Sequence, residues 1–363
     1  MRILHTESSC GWGGQELRIL EESRGMVSRG HSVTIAAPAQ SRIVPEACRR
    51  GLNAVALPIS RKRPGGIASL YRWLKGNRVD VINTHSSTDS WLAALACAML
   101  GGAPPIVRTR HISASVPRNR ATRWLYVSAT RHVVTAGEAL RRRLIEANGF
   151  PADRITSVPT GIDTRRFAPG DRAAARRALD LPPGATLIGI VATLRSWKGH
   201  RFLLDAVAGL AREHCMLVIV GDGPQRANIE SQIAQLGIGG RVRVAGNQAD
   251  VLPWLHALDL FALPSYANEG VPQALVQAML CGLPCVTTGV GSIGEAAVNG
   301  ETALVVAPQD AEALAQALRR LIDAPELRQR LGAAARLRCE SAFGIERMLD
   351  RMEDVFRNAV GSN

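Results

Sequence analysis

Apolar residues cluster in short runs along this chain. Each run gives way to a polar or glycine-rich turn and then to a stretch with apolar positions at helical spacing. In the first half, Arg2–Thr6, His31–Ala37, Val79–Asn83, Ile106–Thr109 and Arg131–Thr135 read as strands, with helices over about Gln15–Arg29 and Asp89–Leu100. A second series follows, with strands at Leu187–Ala192, Met216–Val220, Val242–Ala245, Leu260–Leu263, Cys285–Thr288 and Ala303–Val306. Between them lie helices at roughly Gly199–Glu213, Gln225–Leu236, Ala249–Leu258, Pro272–Cys281 and Ala311–Ile322. From Pro325 to Ala359 the pattern is helical, with a break near Phe343-Gly344. Strands that alternate with helices pair in parallel through crossovers, so the expected fold class is α/β with doubly wound sheets.

Between the two series, Pro159-Thr160-Gly161-Ile162-Asp163 and Phe167-Ala168-Pro169-Gly170 form a run of turn-forming residues. This places a hinge there and divides the chain into 1–165, 166–343 and a terminal helix over 344–363 that is expected to pack back on the first domain. Two Rossmann-like units in series are expected to face a central cleft, with ligands at the carboxyl ends of the strands. At 363 residues the length suits two domains.

Charge sharpens the picture. The net +13 is confined to the first part: residues 1–165 hold 24 of the 44 Lys and Arg but only 11 of the 31 Asp and Glu. A one-sided basic field favours an acidic partner. Arginine dominates so strongly that only Lys62, Lys75 and Lys198 are lysines, which draws attention to any lysine inside a motif. The seven cysteines are odd in number, scattered and without a CxxC pair, as expected of free, buried thiols in a reducing compartment. The longest apolar run, Trp91 to Val107, is broken by Gly101-Gly102 and Pro104-Pro105. With no secretory signal at the start, a cytoplasmic location is expected.

Two stretches carry candidate chemistry. In Val191-Ala192-Thr193-Leu194-Arg195-Ser196-Trp197-Lys198-Gly199-His200 a strand runs into a loop with two cations, Arg195 and Lys198, able to pair with a diphosphate. In Leu263-Pro264-Ser265-Tyr266-Ala267-Asn268-Glu269-Gly270-Val271-Pro272-Gln273-Ala274-Leu275-Val276-Gln277 a strand ends, a loop presents Glu269, and Pro272 is suited to the first turn of a helix. The start of that helix, over Gly270, Val271, Pro272, Gln273 and Ala274, can hold a phosphate. Glu269 can accept from sugar hydroxyls, and Gln277, about one turn in, can reach a ribose. Either stretch on its own also fits an ordinary capped helix or a solvated basic loop.

In this order and about 70 residues apart, the two stretches resemble the donor-binding motifs of the group 1 glycosyltransferases, a strand with G-R-L-x-x-x-K-G and then E-G-F-G-x-x-x-x-E. Val158-Pro159-Thr160-Gly161-Ile162-Asp163, Gly221-Asp222-Gly223-Pro224 and Gly282-Leu283-Pro284 also match, so the similarity covers most of residues 130–310. The resemblance implies a GT-B fold. It also implies retaining, metal-independent transfer from a nucleotide-diphosphate sugar, with no cofactor. Lys198, Arg195 and the helix start after Gly270 would meet the diphosphate, while Glu269 would orient the donor sugar.

Two departures stand out: Thr193 replaces the family's first phosphate-binding arginine, so Arg195 is expected to take its role, and Gln277 replaces the second acid. In the first half, Gly13 and Gly14 follow a strand and open a helix, where the family places a glycine pair near the donor phosphates. His111 matches the histidine that faces the reacting sugar, and His85, beyond another strand end, is a candidate for acceptor contact. The basic first half is the acceptor side in this family. A glycan or lipid-linked acceptor, as in lipopolysaccharide or another envelope polysaccharide, and peripheral contact with an anionic membrane are therefore expected.

Two rival classes fit less well. A nicotinamide-dependent oxidoreductase would need G-x-G-x-x-G in the first turn and an acid after the second strand, but that strand runs into Ala37-Pro38. A nucleic-acid-binding protein would suit the basic charge, yet no binding motif is present and aromatic residues are only 4%.

Overall fold

The computed structural model describes residues 1–361 apart from Ala211 and Glu213. It divides into two compact units, Met1–Gly161 together with the chain from Glu346 onward, and Ile162–Ile345.

The first unit is a parallel sheet of seven strands: β1 (Arg2–Thr6), β2 (Ser32–Ala37), β3 (Asn53–Ala56), β4 (Val81–Thr84), β5 (Ile106–Arg110), β6 (His132–Thr135) and β7 (Ile155–Ser157). Their order is β3-β2-β1-β4-β5-β6-β7. The chain thus winds outward from β1 in one direction, then returns and winds the other way, so the strand order reverses between β1 and β4. That reversal is where ligands bind in doubly wound sheets. The edge strands β3 and β7 were not read from the sequence. They are too short to show a period of their own, and their residues alternate only partly between buried and exposed.

The second unit has six strands: β8 (Thr186–Val191), β9 (Cys215–Val220), β10 (Val242–Gly246), β11 (Leu260–Leu263), β12 (Cys285–Thr288) and β13 (Leu304–Val306), ordered β10-β9-β8-β11-β12-β13. The reversal falls between β8 and β11. Every strand read from the second half is present within a residue or two, because the central ones are apolar runs buried on both faces, Leu260–Leu263 completely, while the edge strand β10 holds only half-buried and exposed residues. The expected helix after β8 forms over His200–Ala208, and its expected end at Glu213 lies outside the described residues.

The terminal helical pattern is two helices, Pro325–Ala342 and Ile345–Gly361. The last one buries Met348, Leu349, Met352, Val355 and Phe356 in the first unit, and its Leu349 leaves no room for a side chain at Gly25. All seven cysteines are free, as expected, but Cys10 and Cys48 are exposed rather than buried, since both lie on surface turns and helix faces. Among the described residues no helix is long and apolar enough to cross a membrane.

Candidate active site

In the second unit, β8 runs out at Val191 into a loop that closes with a 3-10 turn over Ser196–Lys198. Its neighbour β11 runs out at Leu263 into the loop that carries Glu269 and leads to the helix Gln273–Leu280. Because the strands are adjacent and parallel, both loops leave the same sheet edge. They are pressed together at Gly199, where φ is +76° and a Cβ would stand 2.1 Å from the carbonyl oxygen of Pro264. Only glycine allows both the backbone angle and the approach. The Tyr266 N–H donates to the Trp197 carbonyl at 2.8 Å and ties the loops further.

The result is an ion pair between residues 71 apart, with Lys198 Nζ donating to Glu269 Oε1 at 2.6 Å. The lysine side chain is 19% exposed and the glutamate 6%. Breaking a pair this buried by removing one partner typically costs about 3–5 kcal/mol, because a bare charge is left behind. An ammonium has three N–H donors, so Lys198 keeps capacity for an incoming anion. Glu269 is held from a third side by the loop after β12: Gly291 has φ +63°, and a Cβ there would lie 2.1 Å from the Glu269 carbonyl oxygen.

The helix begins one residue later than expected. Pro272, with φ −71° and ψ 124°, is its extended N-cap rather than part of its first turn. Gly270, Val271 and Pro272 are buried, while Gln273, Ala274 and Gln277 are half-buried along the start of the helix. Arg195 is not drawn into the Lys198–Glu269 pair. It is exposed, with its guanidinium 5.7 Å from the Trp197 ring centre. The sequence reading gave no role to two buried groups here, Ser265, whose hydroxyl has no hydrogen-bond partner, and His200, whose two ring nitrogens have none. Burial, with Lys198 close by, pushes the His200 pKa down to about 4.

In the first unit the expected His85 and His111 come together and are joined by a third ring. His85 Nε2 meets His5 Nδ1 at 2.9 Å, and His85 Nδ1 meets His111 Nε2 at 2.9 Å. Ring centres are 5.2 Å apart in both contacts, with interplanar angles of 19° and 28°. That separation, with a hydrogen-bonding distance between nitrogens, describes rings joined edge to edge in one line.

Strand register explains the line. His5 is level with Asn83, which is level with Val107. His85 is thus two residues beyond that level and His111 four beyond, so all three share one face of the sheet and step outward across neighbouring strands. Both ring nitrogens of His85 are engaged and the residue is buried, which corrects the expectation that it contacts an acceptor directly. His111, half-buried, is the outward end of the line. Burial, with the Arg18 charge behind it, lowers the pKa of all three rings, that of His5 to about 3. They are therefore neutral at pH 7.

Behind His5 lies a buried polar cluster that the sequence reading missed. Arg18 and Glu22, one turn apart on the helix Gly14–Ser28, are paired at 3.4 Å. Arg18 also donates to the Val158 carbonyl at 2.7 Å. Glu22 Oε1 accepts from Asn83 Nδ2 at 3.2 Å and lies 3.9 Å from His5 Nε2. Gly13, fully extended, is the N-cap of that helix, and Gly14 is its first residue. Beside it, Glu7 is buried among the Ser9 N–H, Gln15 and Asp89. Burial first, then the Asp89 charge, raises its pKa to about 8.

Comparison with known proteins finds glycosyltransferase relatives for both units. The profile of the glycosyl transferases group 1 matches residues 171–338, and that of glycosyltransferase family 4 matches residues 12–166. The chain is a glycosyltransferase, its second unit matched by the group 1 profile and its first by that of family 4. It is 27% identical to a D-inositol 3-phosphate glycosyltransferase of Saccharomonospora viridis, over 96% of this chain and 90% of the relative. Among solved structures it resembles Anabaena HepE in complex with UDP-glucose (TM-score 0.89, 21% identity, covering 99% of this chain and 100% of that one). It also resembles a glycosyltransferase involved in lipopolysaccharide biosynthesis (TM-score 0.76, 18% identity, 98% and 99% covered). At such identities the structural likeness establishes the GT-B fold. This glycosyltransferase thus carries the Lys198–Glu269 pair in the stretch matched by the group 1 profile, and His85 and His111 of the histidine line in the stretch matched by family 4.

Proposed function

We propose that this glycosyltransferase moves a sugar from a nucleotide-diphosphate sugar to a glycan or lipid-linked acceptor, with retention at the anomeric carbon and without a metal or other cofactor. The observation that carries the reading is the Lys198–Glu269 pair at the carboxyl ends of β8 and β11, beside the start of the helix Gln273–Leu280. Cation, carboxylate and helix start suit a diphosphate joined to a polyol. The UDP-glucose held by the Anabaena structure is a donor of this class.

In this reading Lys198, Arg195 and the backbone of Gly270, Val271, Pro272, Gln273 and Ala274 receive the diphosphate. Glu269 orients the sugar, Gln277 the ribose, and His111 meets a sugar hydroxyl. The bond from anomeric carbon to phosphate oxygen breaks while the acceptor oxygen bonds to that carbon from the same face. The acceptor proton passes to the departing phosphate oxygen. Positive charge already in place stabilises the leaving diphosphate, which is the work a metal would otherwise do.

The acceptor side belongs to the basic first unit, with Arg61, Lys62, Arg63, Arg118, Arg120 and Arg123 exposed or half-buried. We place the enzyme in envelope-polysaccharide synthesis of the lipopolysaccharide kind. It would work in the cytoplasm, at the inner face of an anionic membrane, with no nucleic-acid partner. The Saccharomonospora relative is named for a phosphorylated acceptor, which fits a basic acceptor side.

Thermal-shift screening of UDP, GDP and ADP and their sugars in the presence of EDTA tests this. One nucleotide series should raise Tm, and Lys198→Ala should abolish the rise. A response that appears only with added divalent metal, or only with NAD or an oligonucleotide, overturns the reading.

A further inference from the structure

The histidine line of the first unit ends on a carboxylate, and this gives it a direction. A neutral imidazole has one N–H and one lone pair, so a row of hydrogen-bonded imidazoles has only two self-consistent arrangements. Either every ring carries its proton on Nε2, or every ring carries it on Nδ1. In the first, His111 Nε2–H donates to His85 Nδ1, His85 Nε2–H donates to His5 Nδ1, and the His5 Nε2–H faces Glu22. In the second, every donor is reversed and a lone pair on His5 faces Glu22.

The environment of Glu22 decides between them. Its carboxylate accepts from Arg18 and from Asn83, and the Asn83 amide is fixed with its N–H groups toward Glu22 because Thr109 Oγ1 donates to Asn83 Oδ1 at 2.8 Å. Burial raises the Glu22 pKa, but the paired Arg18 guanidinium opposes this and favours the carboxylate, so Oε1 is an anionic acceptor 3.9 Å from His5 Nε2, a nitrogen that is buried and has no hydrogen-bond partner. That distance is too long for a hydrogen bond but short for an electrostatic preference in a dry interior. A proton on Nε2 is attracted, whereas a lone pair there would face another acceptor. Asp89, the nearest other carboxylate, is already occupied by Thr6 Oγ1 and the His85 and Ser86 N–H groups, so it does not compete. Arg110 beside His111 is engaged with Tyr126 and the Ala114 carbonyl.

We propose that Glu22, through His5 and His85, sets the tautomer of His111, so that its outward Nδ1 is held as a lone pair that accepts a hydrogen bond from a hydroxyl of the bound sugar or acceptor. His5, His85 and Glu22 are positioning residues in this scheme, and His111 alone touches substrate. The inference rests on the reading of His111 given above.

The test is nitrogen spectroscopy of the full chain carrying 15N-histidine, at neutral pH, with two- and three-bond proton–nitrogen correlations that distinguish Nδ1–H from Nε2–H rings. Expected are three neutral Nε2–H rings for His5, His85 and His111. In Glu22→Gln the Nδ1–H form should appear in all three together, and kcat should fall about tenfold with the donor KM within about twofold. Should Glu22→Gln fail to fold, His5→Phe cuts the line next to Phe356 while filling its space. His85 and His111 should then become tautomer mixtures. An Nδ1–H ring at His111 in the unmodified protein, or a His111 tautomer untouched by both variants, overturns the proposal. A tautomer pattern as expected combined with full activity of His111→Ala would instead remove His111 from the reaction and refute the functional reading on which this rests.

Discussion

In the second unit a cation and a carboxylate come from two loops that are each continuous in sequence, and they hold charge at the partly exposed mouth of the sheet. In the first unit three rings come from the ends of β1, β4 and β5, separated by 80 and 26 residues, and they hold no charge. The contrast is chemical as well as topological. Charge kept near solvent can meet an anionic ligand at modest desolvation cost, which suits a diphosphate. Neutral groups in a dry interior contribute direction instead, since each N–H must find a lone pair. A transferase has use for both: charge where a leaving group departs, and oriented hydrogen bonds where hydroxyls must be told apart.

Removing Lys198 should break this comparison hardest. Lys198→Ala is expected to lower kcat/KM by roughly 10²–10³, the size found when one preorganised donor to a developing anion is lost. It should also lower stability by about 3–5 kcal/mol, because Glu269 is left buried and unpaired. A Lys198→Ala/Glu269→Gln double variant should recover most of the stability and none of the activity. Steady-state kinetics with denaturant melts checks both, and recovery of activity would mean that the lysine serves only the fold.

His111→Ala comes next, with an expected loss of about tenfold to a hundredfold in kcat and little change in stability, since the ring is half-buried at the end of its line. An equal effect on melting and on turnover would assign His111 to structure and erase the contrast between the two units.

What could be read in the sequence follows the same division. The central strands of the second unit are apolar on both faces, so their runs are unbroken and legible, and the edge strand Val242–Gly246 shows through Val242, Val244 and Ala245 despite its exposed Arg243. Glu269, Lys198 and Gln277 sit in contiguous motifs whose order and spacing survive any detail of packing. The histidine line has no such signature. His85 and His111 were noticed singly, each beyond a strand end, but their partnership depends on the order β1-β4-β5 and on a register that steps by two residues per strand. His5 gives no signal because it sits inside a strand, where a lone histidine says little. A histidine within one residue of the end of each of three strands, β1, β4 and β5, is the one available signal. The Arg18–Glu22 pair was hidden for another reason: two charges one turn apart on a helix usually mark its solvated face, and here that face is buried. That Arg195 stands exposed beside Trp197, outside the Lys198–Glu269 pair, is not legible in the sequence, because loop charge alone does not show which way a side chain leaves the backbone.

A smaller effect sharpens the donor side. Gln277→Glu restores the acid usual in this family at a half-buried position one turn into the helix Gln273–Leu280. Both side chains accept hydrogen bonds from a ribose, so kcat is expected to hold within about twofold and the donor KM to move about threefold at most, the size of a single neutral hydrogen bond exchanged for a charged one. A change in which nucleotide the enzyme prefers, measured as kcat/KM for UDP, GDP and ADP sugars, would show that this position selects the base side rather than only holding the ribose.

The smallest expected effect concerns Glu7 at the start of the helix Gly14–Ser28. Burial raises its pKa from 4.5 to about 8, with the Asp89 charge adding to the shift and the Ser9 N–H and the Gln15 side chain opposing it. Between those two pH values the folded protein keeps a proton that the unfolded chain has released. Its contribution to stability is therefore complete below pH 4.5 and fades as pH rises through 8. Glu7→Gln cannot ionise, so its Tm should fall less steeply between pH 5 and 8.5, and at pH 8.5 it should melt a few degrees above the unmodified protein. The buried histidines act on the other side: they are held neutral in the fold, so both proteins should lose stability alike as pH falls below about 6.5. Parallel melting curves between pH 5 and 8.5 would mean that Glu7 stays ionised in place. The first unit would then hold a buried negative charge beside Asp89, and its contrast with the charged site of the second unit would narrow to the histidines alone.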